Sequence, residues 1–204
     1  MNRRFWLQGL GASVIPAMGV EIDEPVLTVV LDREDPGNSH GIFRDGRSFQ
    51  VGFGRDGFLP PGSAFVGGSS LLGRFKVNAI LSATRFEMTD ELISESGRSR
   101  EWLKKNLFAN MSAIDFDGDG AGGEYGDAFI GLEPIDDLDA GQPFHFGEYK
   151  GVFRWYSYAI HGTQDEERIG ECATGGCINV GKADLSILVD VVQRGDLVEI
   201  SASD

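Results

Sequence analysis

Tyr158-Ala159-Ile160-His161-Gly162-Thr163 and, a short way downstream, Thr174-Gly175-Gly176-Cys177-Ile178-Asn179 are the two stretches that decide the fold. The first is an apolar run that ends on a histidine and the second places a cysteine at the head of another apolar run, so each reads as one end of a strand. A free cysteine, with a pKa of ~8.5, is only a few per cent thiolate at neutral pH, and a cysteine nucleophile therefore needs an imidazole within hydrogen-bond reach. Sixteen residues separate His161 from Cys177. If the two strands are neighbours, the excursion from Gly162 to Ala173 arches over the site and the two side chains meet at its base.

Further out, the same alternation of apolar residues and turn signals recurs. Val26–Leu31, Phe49–Phe53, Arg74–Leu81, Phe129–Leu132, Phe153–Ile160 and Leu197–Ile200 read as strands. Gly54–Ser70, with Pro60-Pro61 and four glycines inside it, reads as a loop. Thr89 is placed to cap one or two helices filling 89–110, and Ala183–Val192 presents Leu185, Leu188, Val189 and Val192 on one face before Gly195 stops it. The 29 glycines and 7 prolines in 204 residues suit a turn-rich chain, and no repeat or linker divides it. The expectation is a single, mainly β domain: mixed sheets packed as a sandwich or flattened barrel, with a few short helices. It spans 20–204, with an insertion or divergence over about 82–150.

Charge narrows the partners. With 18 basic and 32 acidic residues the chain carries a net charge of -14, which repels phosphate backbones and anionic lipid headgroups and so argues against nucleic acid and peripheral membrane binding. Residues 1–19 hold Arg3 and Arg4, then an uncharged run broken by Gln8, Gly9, Gly11, Ser13 and Pro16, ending in small residues. That profile fits an export signal cleaved near Gly19 and is too interrupted to span a bilayer. Asn2-Arg3-Arg4-Phe5-Trp6-Leu7 resembles the twin-arginine type of signal. The competing reading is a disordered basic start to a cytosolic domain.

His161-Gly162-Thr163, Ile169-Gly170, Thr174, Gly176-Cys177, Ile178 and Asn179, in that order, resemble the L,D-transpeptidase catalytic-domain (YkuD-like) family of cysteine transpeptidases. Upstream, Leu72-Gly73-Arg74-Phe75-Lys76-Val77 is similar to another segment of that family, with Ser70 and Leu71 where Thr-Pro usually stands, and Arg194-Gly195-Asp196-Leu197-Val198 looks like its ending. The resemblance implies Cys177 as nucleophile and His161 as general base, its ring oriented by a main-chain carbonyl near Gly162 or Thr163. It implies Thr163, Thr174, Gly175, Gly176 and Asn179 around substrate and oxyanion, with amides near Gly176 and Cys177 as donors. The implied substrate is a peptidoglycan stem peptide, handled through a thioester outside the cytoplasmic membrane, with no cofactor. Most members carry His where this chain has Gly175, which bears on substrate choice and on whether the acyl group passes to an amine or to water.

Two other readings stay open. Cys172 and Cys177, the only cysteines, could form a disulfide in an oxidising compartment and silence the thiol, leaving a non-catalytic wall-binding module. Asp115-Phe116-Asp117-Gly118-Asp119-Gly120 opens like a calcium loop, but the twelfth position is Gly126, where a bidentate Glu belongs; the bland alternative is a solvated acidic turn. His40 and His145 have no ligand-like spacing, and the aromatic stretch from Phe144 to Tyr158 reads as core and groove wall.

Overall fold

The computed structural model describes residues 24–116, 118, 120, 122–135 and 145–203. The export signal expected over 1–19, Asp117, Asp119 and the acidic run 136–139 lie outside these residues. In chain order the strands are β1 (Leu27–Leu31), β2 (His40–Phe43), β3 (Ser48–Gly54), β4 (Phe58–Leu59), β5 (Ser70–Leu71), β6 (Gly73–Ser82), β7 (Phe86–Met88), β8 (Ala128–Pro134), β9 (His145–Tyr149), β10 (Val152–Tyr156), β11 (Tyr158–His161), β12 (Cys172–Thr174), β13 (Ile178–Val180) and β14 (Leu197–Ala202). The helices are α1 (Asp90–Glu95), α2 (Arg100–Ser112) and α3 (Lys182–Val191).

The main sheet runs β3-β13-β11-β8-β6-β14-β1-β2, and β2 pairs back onto β3, so eight strands close into a mixed barrel. Closure leaves no open edge along that ring, which removes the usual route to edge-to-edge association. β7 and β12 attach outside it, to β6 and β3. The alternation seen in the sequence is the reason for the inside and outside of this ring: along β1, Leu27, Val29 and Leu31 are fully buried while Thr28 and Val30 are half-exposed. Leu27, Phe53, Phe75, Leu132, Ile160, Ile178 and Val198 join one core cluster, into which α3 sets Leu185 and Leu188.

A second cluster lies under α2. Leu103, Leu107 and Met111, spaced four apart on one helix face, pack with Ala79, Leu81, Phe129 and Trp155. Ser99 Oγ accepts from the Trp102 N–H at 3.2 Å to start α2, and Thr89 Oγ1 does the same for α1 from the Leu92 N–H at 3.2 Å. Residues 82–150 therefore mix two kinds of structure. β8 is a barrel strand between β6 and β11, whereas β7, α1, α2 and the β9–β10 ribbon lie outside the ring.

The stretch expected as one strand over Phe153–Ile160 is two. β10 pairs only with β9 in a separate ribbon, β11 enters the barrel between β8 and β13, and Ser157 is the break. That break puts the Ser157 carbonyl beside the site described next.

Candidate active site

β11 and β13 lie side by side and parallel, with Ile160 opposite Ile178 and His161 opposite Asn179. Parallel neighbours need a crossover of a dozen or more residues, which the stretch from Gly162 to Cys177 supplies, with a short 3-10 turn at Glu166–Arg168 and β12 inside it. Cys177 stands one residue before β13, half-buried, and its Sγ donates to the Ser157 carbonyl at 3.8 Å. It touches both core clusters, so it sits at the seam between barrel and helical layer. Both cysteines carry free thiols, and no disulfide joins Cys172 to Cys177.

His161 is held from three sides. Its Nδ1 lies 2.6 Å from the Gly162 carbonyl, an oxygen that can only accept, so the proton sits on Nδ1 and Nε2 keeps its lone pair. Tyr125 meets the ring edge-on with centroids 4.8 Å apart, and Phe129 lies parallel to it at 6.1 Å. Burial draws the His161 imidazole down to about 4; the Gly162 carbonyl opposes this and the Arg154 cation adds to it. Burial also pushes the Cys177 thiol up to about 11, against smaller opposing effects of the Ala159 backbone and Arg154. At neutral pH both members of the pair are uncharged.

The turn before Cys177 is made by glycine and threonine. Gly176 adopts φ +127°, and a Cβ there would lie 2.7 Å from the Ser69 carbonyl oxygen and 3.0 Å from the Phe65 ring, so no other residue fits. Thr174 Oγ1 donates to the Cys177 carbonyl at 2.6 Å and accepts from the Gly176 N–H at 3.1 Å. Through that second bond Thr174 engages the Gly176 N–H within the turn, one residue before the Cys177 N–H. Ser70, fully buried, ties the turn to the barrel by accepting from the Gly54 N–H at 3.0 Å and donating to the Gly176 carbonyl at 2.8 Å.

Cys177, His161, Thr174, Gly175 and Asn179 all line one cavity of about 500 Å³. Gly162 and Thr163 do not line it. Gly162 acts through its carbonyl, and Thr163 Oγ1 accepts from the Asp165 N–H at 3.1 Å, a turn-forming bond at the start of the crossover. Around Gly175 a Cβ would meet nothing within 4 Å, so the position where a histidine was expected by resemblance is open space. The wall also includes Phe65, Tyr125 and Arg154, which the sequence reading did not single out, and Tyr156, from the aromatic stretch read as core and groove wall. The signal was present at Arg154, a lone cation inside the aromatic run Phe153–Tyr158.

The segment that opens like a calcium loop ends where it does for a steric reason. Gly126 packs on Gly162, and a Cβ at Gly126 would lie 2.7 Å from the Gly162 Cα. The bidentate Glu expected at that position would collide with the strand end carrying His161. Asp115 instead turns its carboxylate onto the loop, accepting from the N–H groups of Gly118 at 2.5 Å and Gly120 at 3.1 Å, and Glu124 Oε1 accepts from the Phe116 N–H at 2.8 Å. Among the described residues no group of three acidic, histidine or cysteine side chains is arranged to hold a metal ion.

A thiol and an imidazole with a free Nε2, sharing one cavity at the end of two parallel strands, define the equipment of cysteine acyl-transfer chemistry. The L,D-transpeptidase catalytic domain, YkuD, matches residues 39–200, and the chain belongs to that peptidoglycan-modifying family. Similar solved structures include L,D-transpeptidase 3 from Mycobacterium tuberculosis with a faropenem-derived adduct, at 12% identity over 87% of this chain and 60% of that one, TM-score 0.44. An L,D-transpeptidase from Mycobacterium smegmatis gives 12% identity over 86% and 58%, TM-score 0.40, and the helical cell shape determining protein Pgp2 from Campylobacter jejuni 17% over 89% and 49%, TM-score 0.42. The chain thus spans about half to three fifths of the length of these proteins. No curated protein sequence matches it.

Proposed function

We propose that the chain is an exported cysteine L,D-transpeptidase that joins peptidoglycan stem peptides through their third residues. In the first half-reaction the Cys177 Sγ attacks the carbonyl between an L-centre and a D-residue while His161 Nε2 takes the thiol proton. The C–N bond breaks, the proton passes to the departing amine, and a thioester remains on Cys177. In the second, His161 Nε2 takes a proton from the amine of another stem as it attacks the thioester, and the proton returns to the sulfur. The Cys177 N–H supports the oxyanion in both steps, a contribution of ~3 kcal/mol per donor in acyl transfer.

The observation that supports this reading is the parallel pairing of β11 with β13, with His161 opposite Asn179 and Cys177 one residue before β13, so that both side chains line one cavity while His161 Nδ1 faces the Gly162 carbonyl. A thiol pushed up to about 11 is roughly one part in 10⁴ thiolate at pH 7, so the nucleophile is made during the attack, by His161, rather than stored as an ion pair. Family membership supports a peptidoglycan substrate, and the location of that polymer, with the signal-like residues 1–19, supports an extracytoplasmic site of action. No helix among the described residues is long and apolar enough to cross a membrane.

The open space at Gly175 favours a second outcome worth measuring, entry of water beside the thioester and hydrolysis to a shortened stem. The test is intact-mass spectrometry of the reduced protein with a disaccharide-tetrapeptide. A stem acyl adduct that is lost in Cys177→Ala and suppressed in His161→Ala is the expected result, and the ratio of cross-linked dimer to tripeptide separates transfer from hydrolysis. Absence of adduct and product from the unaltered protein would overturn the proposal.

A further inference from the structure

Arg154 is only 9% exposed, yet among the described residues no carboxylate forms an ion pair with it. The central carbon of its guanidinium lies 4.1 Å from the centroid of the Tyr156 ring and 4.9 Å from that of Phe116. Its Nη2 donates to Tyr125 Oη at 2.8 Å, and its Nε is buried without a partner. A buried cation is expensive unless an anion completes it. Here the aromatic stack and one phenol hold the group in place, and neither neutralises it.

What can reach this cation comes through the cavity, because Arg154 lines it together with Cys177 and His161. Both the thiol and the imidazole feel its charge. Two more arginines, Arg55 and Arg168, stand on the same wall against a single carboxylate, Glu124. Arg55 and Arg168 have acidic neighbours at 3.9 Å (Asp56) and 3.5 Å (Asp165), and Glu124 is occupied by the Phe116 N–H. In a chain of net charge -14, Arg154 is thus a cation on this wall with no carboxylate at ion-pair distance among the described residues, and it draws an anionic group on a ligand toward itself.

The geometry points to Arg154 as the receptor for a substrate carboxylate carried on one of the two residues flanking the bond that Cys177 attacks. This rests on the reading of Cys177 as the nucleophile toward a stem peptide. Guanidinium and carboxylate match in plane and in hydrogen-bond spacing, and the Tyr156 ring together with the Tyr125 hydroxyl holds the group in place before the ligand arrives. Two carboxylates are available on a stem tetrapeptide with a diamino-diacid third residue: the C-terminal one, on the departing D-residue, and the one on the third residue's side chain. Binding the first would make the site selective for stems with a free end. Binding the second would make it selective by the composition of the third residue.

The experiment reads binding alone. Full-length Cys177→Ala protein is titrated calorimetrically with three synthetic tetrapeptides: both carboxylates free, only the C-terminal one amidated, and only the third-residue side-chain one amidated. The same series is run with Arg154→Gln and with Arg154→Lys added, each checked for an unchanged thermal unfolding transition. The expected result is at least a tenfold weaker Kd for one of the amides, a difference that disappears in Arg154→Gln and survives in reduced form in Arg154→Lys. The amide that loses affinity identifies which carboxylate Arg154 holds. Equal affinity for all three peptides, no binding of any, or the same discrimination in Arg154→Gln overturns the inference. If acid-selective, Arg154-dependent binding is present while the Cys177 protein forms no acyl adduct, the nucleophile reading falls and the receptor stands.

Discussion

Acidification should destabilise this protein by a step that belongs to one side chain. His161 is buried, and its imidazole is held down to about 4, whereas an unfolded chain returns it to ~6.5. Between those two values the unfolded state takes up a proton that the folded state refuses. Stability is therefore fully present above pH 6.5 and falls as the pH drops toward 4. A difference of about 2.5 units at 1.36 kcal/mol each comes to ~3 kcal/mol, a large share of the 5–15 kcal/mol that holds a typical domain together. The assay is urea denaturation at a series of pH values from 7 to 4 for the unaltered chain and for His161→Gln, which keeps a donor for the Gly162 carbonyl and has nothing to titrate. The two stability curves should converge by about 3 kcal/mol across that range, on top of whatever slope the carboxylates impose on both. Parallel curves would refute the reasoning, because they would mean an imidazole that protonates near its ordinary value and a cavity wet enough to solvate it. The same imidazole sets the acid limb of catalysis, so kcat/KM should hold down to about pH 5; a limb at 6 to 7 would point the same way as parallel curves.

Three substitutions probe the backbone around the pair. Gly126→Ala combines φ +58° with a Cβ 2.7 Å from the Gly162 Cα and should cost ~2–4 kcal/mol by thermal or urea denaturation, with activity falling as the carbonyl that orients His161 shifts. An Ala variant of unchanged stability would show that this close approach is not real. Gly175→Ala meets open space and should leave stability within ~0.5 kcal/mol, so a large loss would mean the cavity is narrower there than described. Thr174→Val removes the hydroxyl shared by the Cys177 carbonyl and the Gly176 N–H and should cost ~1–3 kcal/mol while slowing acylation of Cys177; full retention of both would deny Thr174 its role in shaping the turn.

What could be read from residues alone was the pairing that is local in type although distant in sequence. Sixteen residues are enough for a parallel crossover, and the apolar runs ending at His161 and following Cys177 had no other place to bury themselves than a shared sheet. α1, α2 and α3 were legible for the same reason, since Thr89, Leu103, Leu107, Leu185 and Leu188 follow helical spacing without reference to partners. The strands that escaped notice, β2, β4, β5, β7, β9 and β12, are two to five residues long, β4 and the start of β5 falling in the stretch read as a loop, and they owe their conformation to neighbours: Cys172 lies against Phe53, more than a hundred residues away. Ser157 hid the break between β10 and β11 because apolar and aromatic residues continue on both sides of it, and only the barrel decides which half it admits. Arg154 was visible as an anomaly, but its meaning depends on Phe116, Tyr125 and Tyr156, which the chain brings round it from two sides. Gly126 looked like a flawed metal loop until Gly162 was found packed against it.

β3 is the strand on which the ring closes, through β2 on one side and β13 on the other. It also carries β12, the last ordered piece of the crossover before Cys177. Residues near position 50 must therefore find residues near 175–180 before the cavity that holds Cys177 and His161 is complete, a separation that makes loop closure slow relative to helix formation. Closure of the ring around the candidate site is accordingly expected to come late in folding. On the proposed reading of Cys177, a molecule whose ring is still open presents it as an ordinary thiol, so an assay of acyl transfer would also count the finished folds.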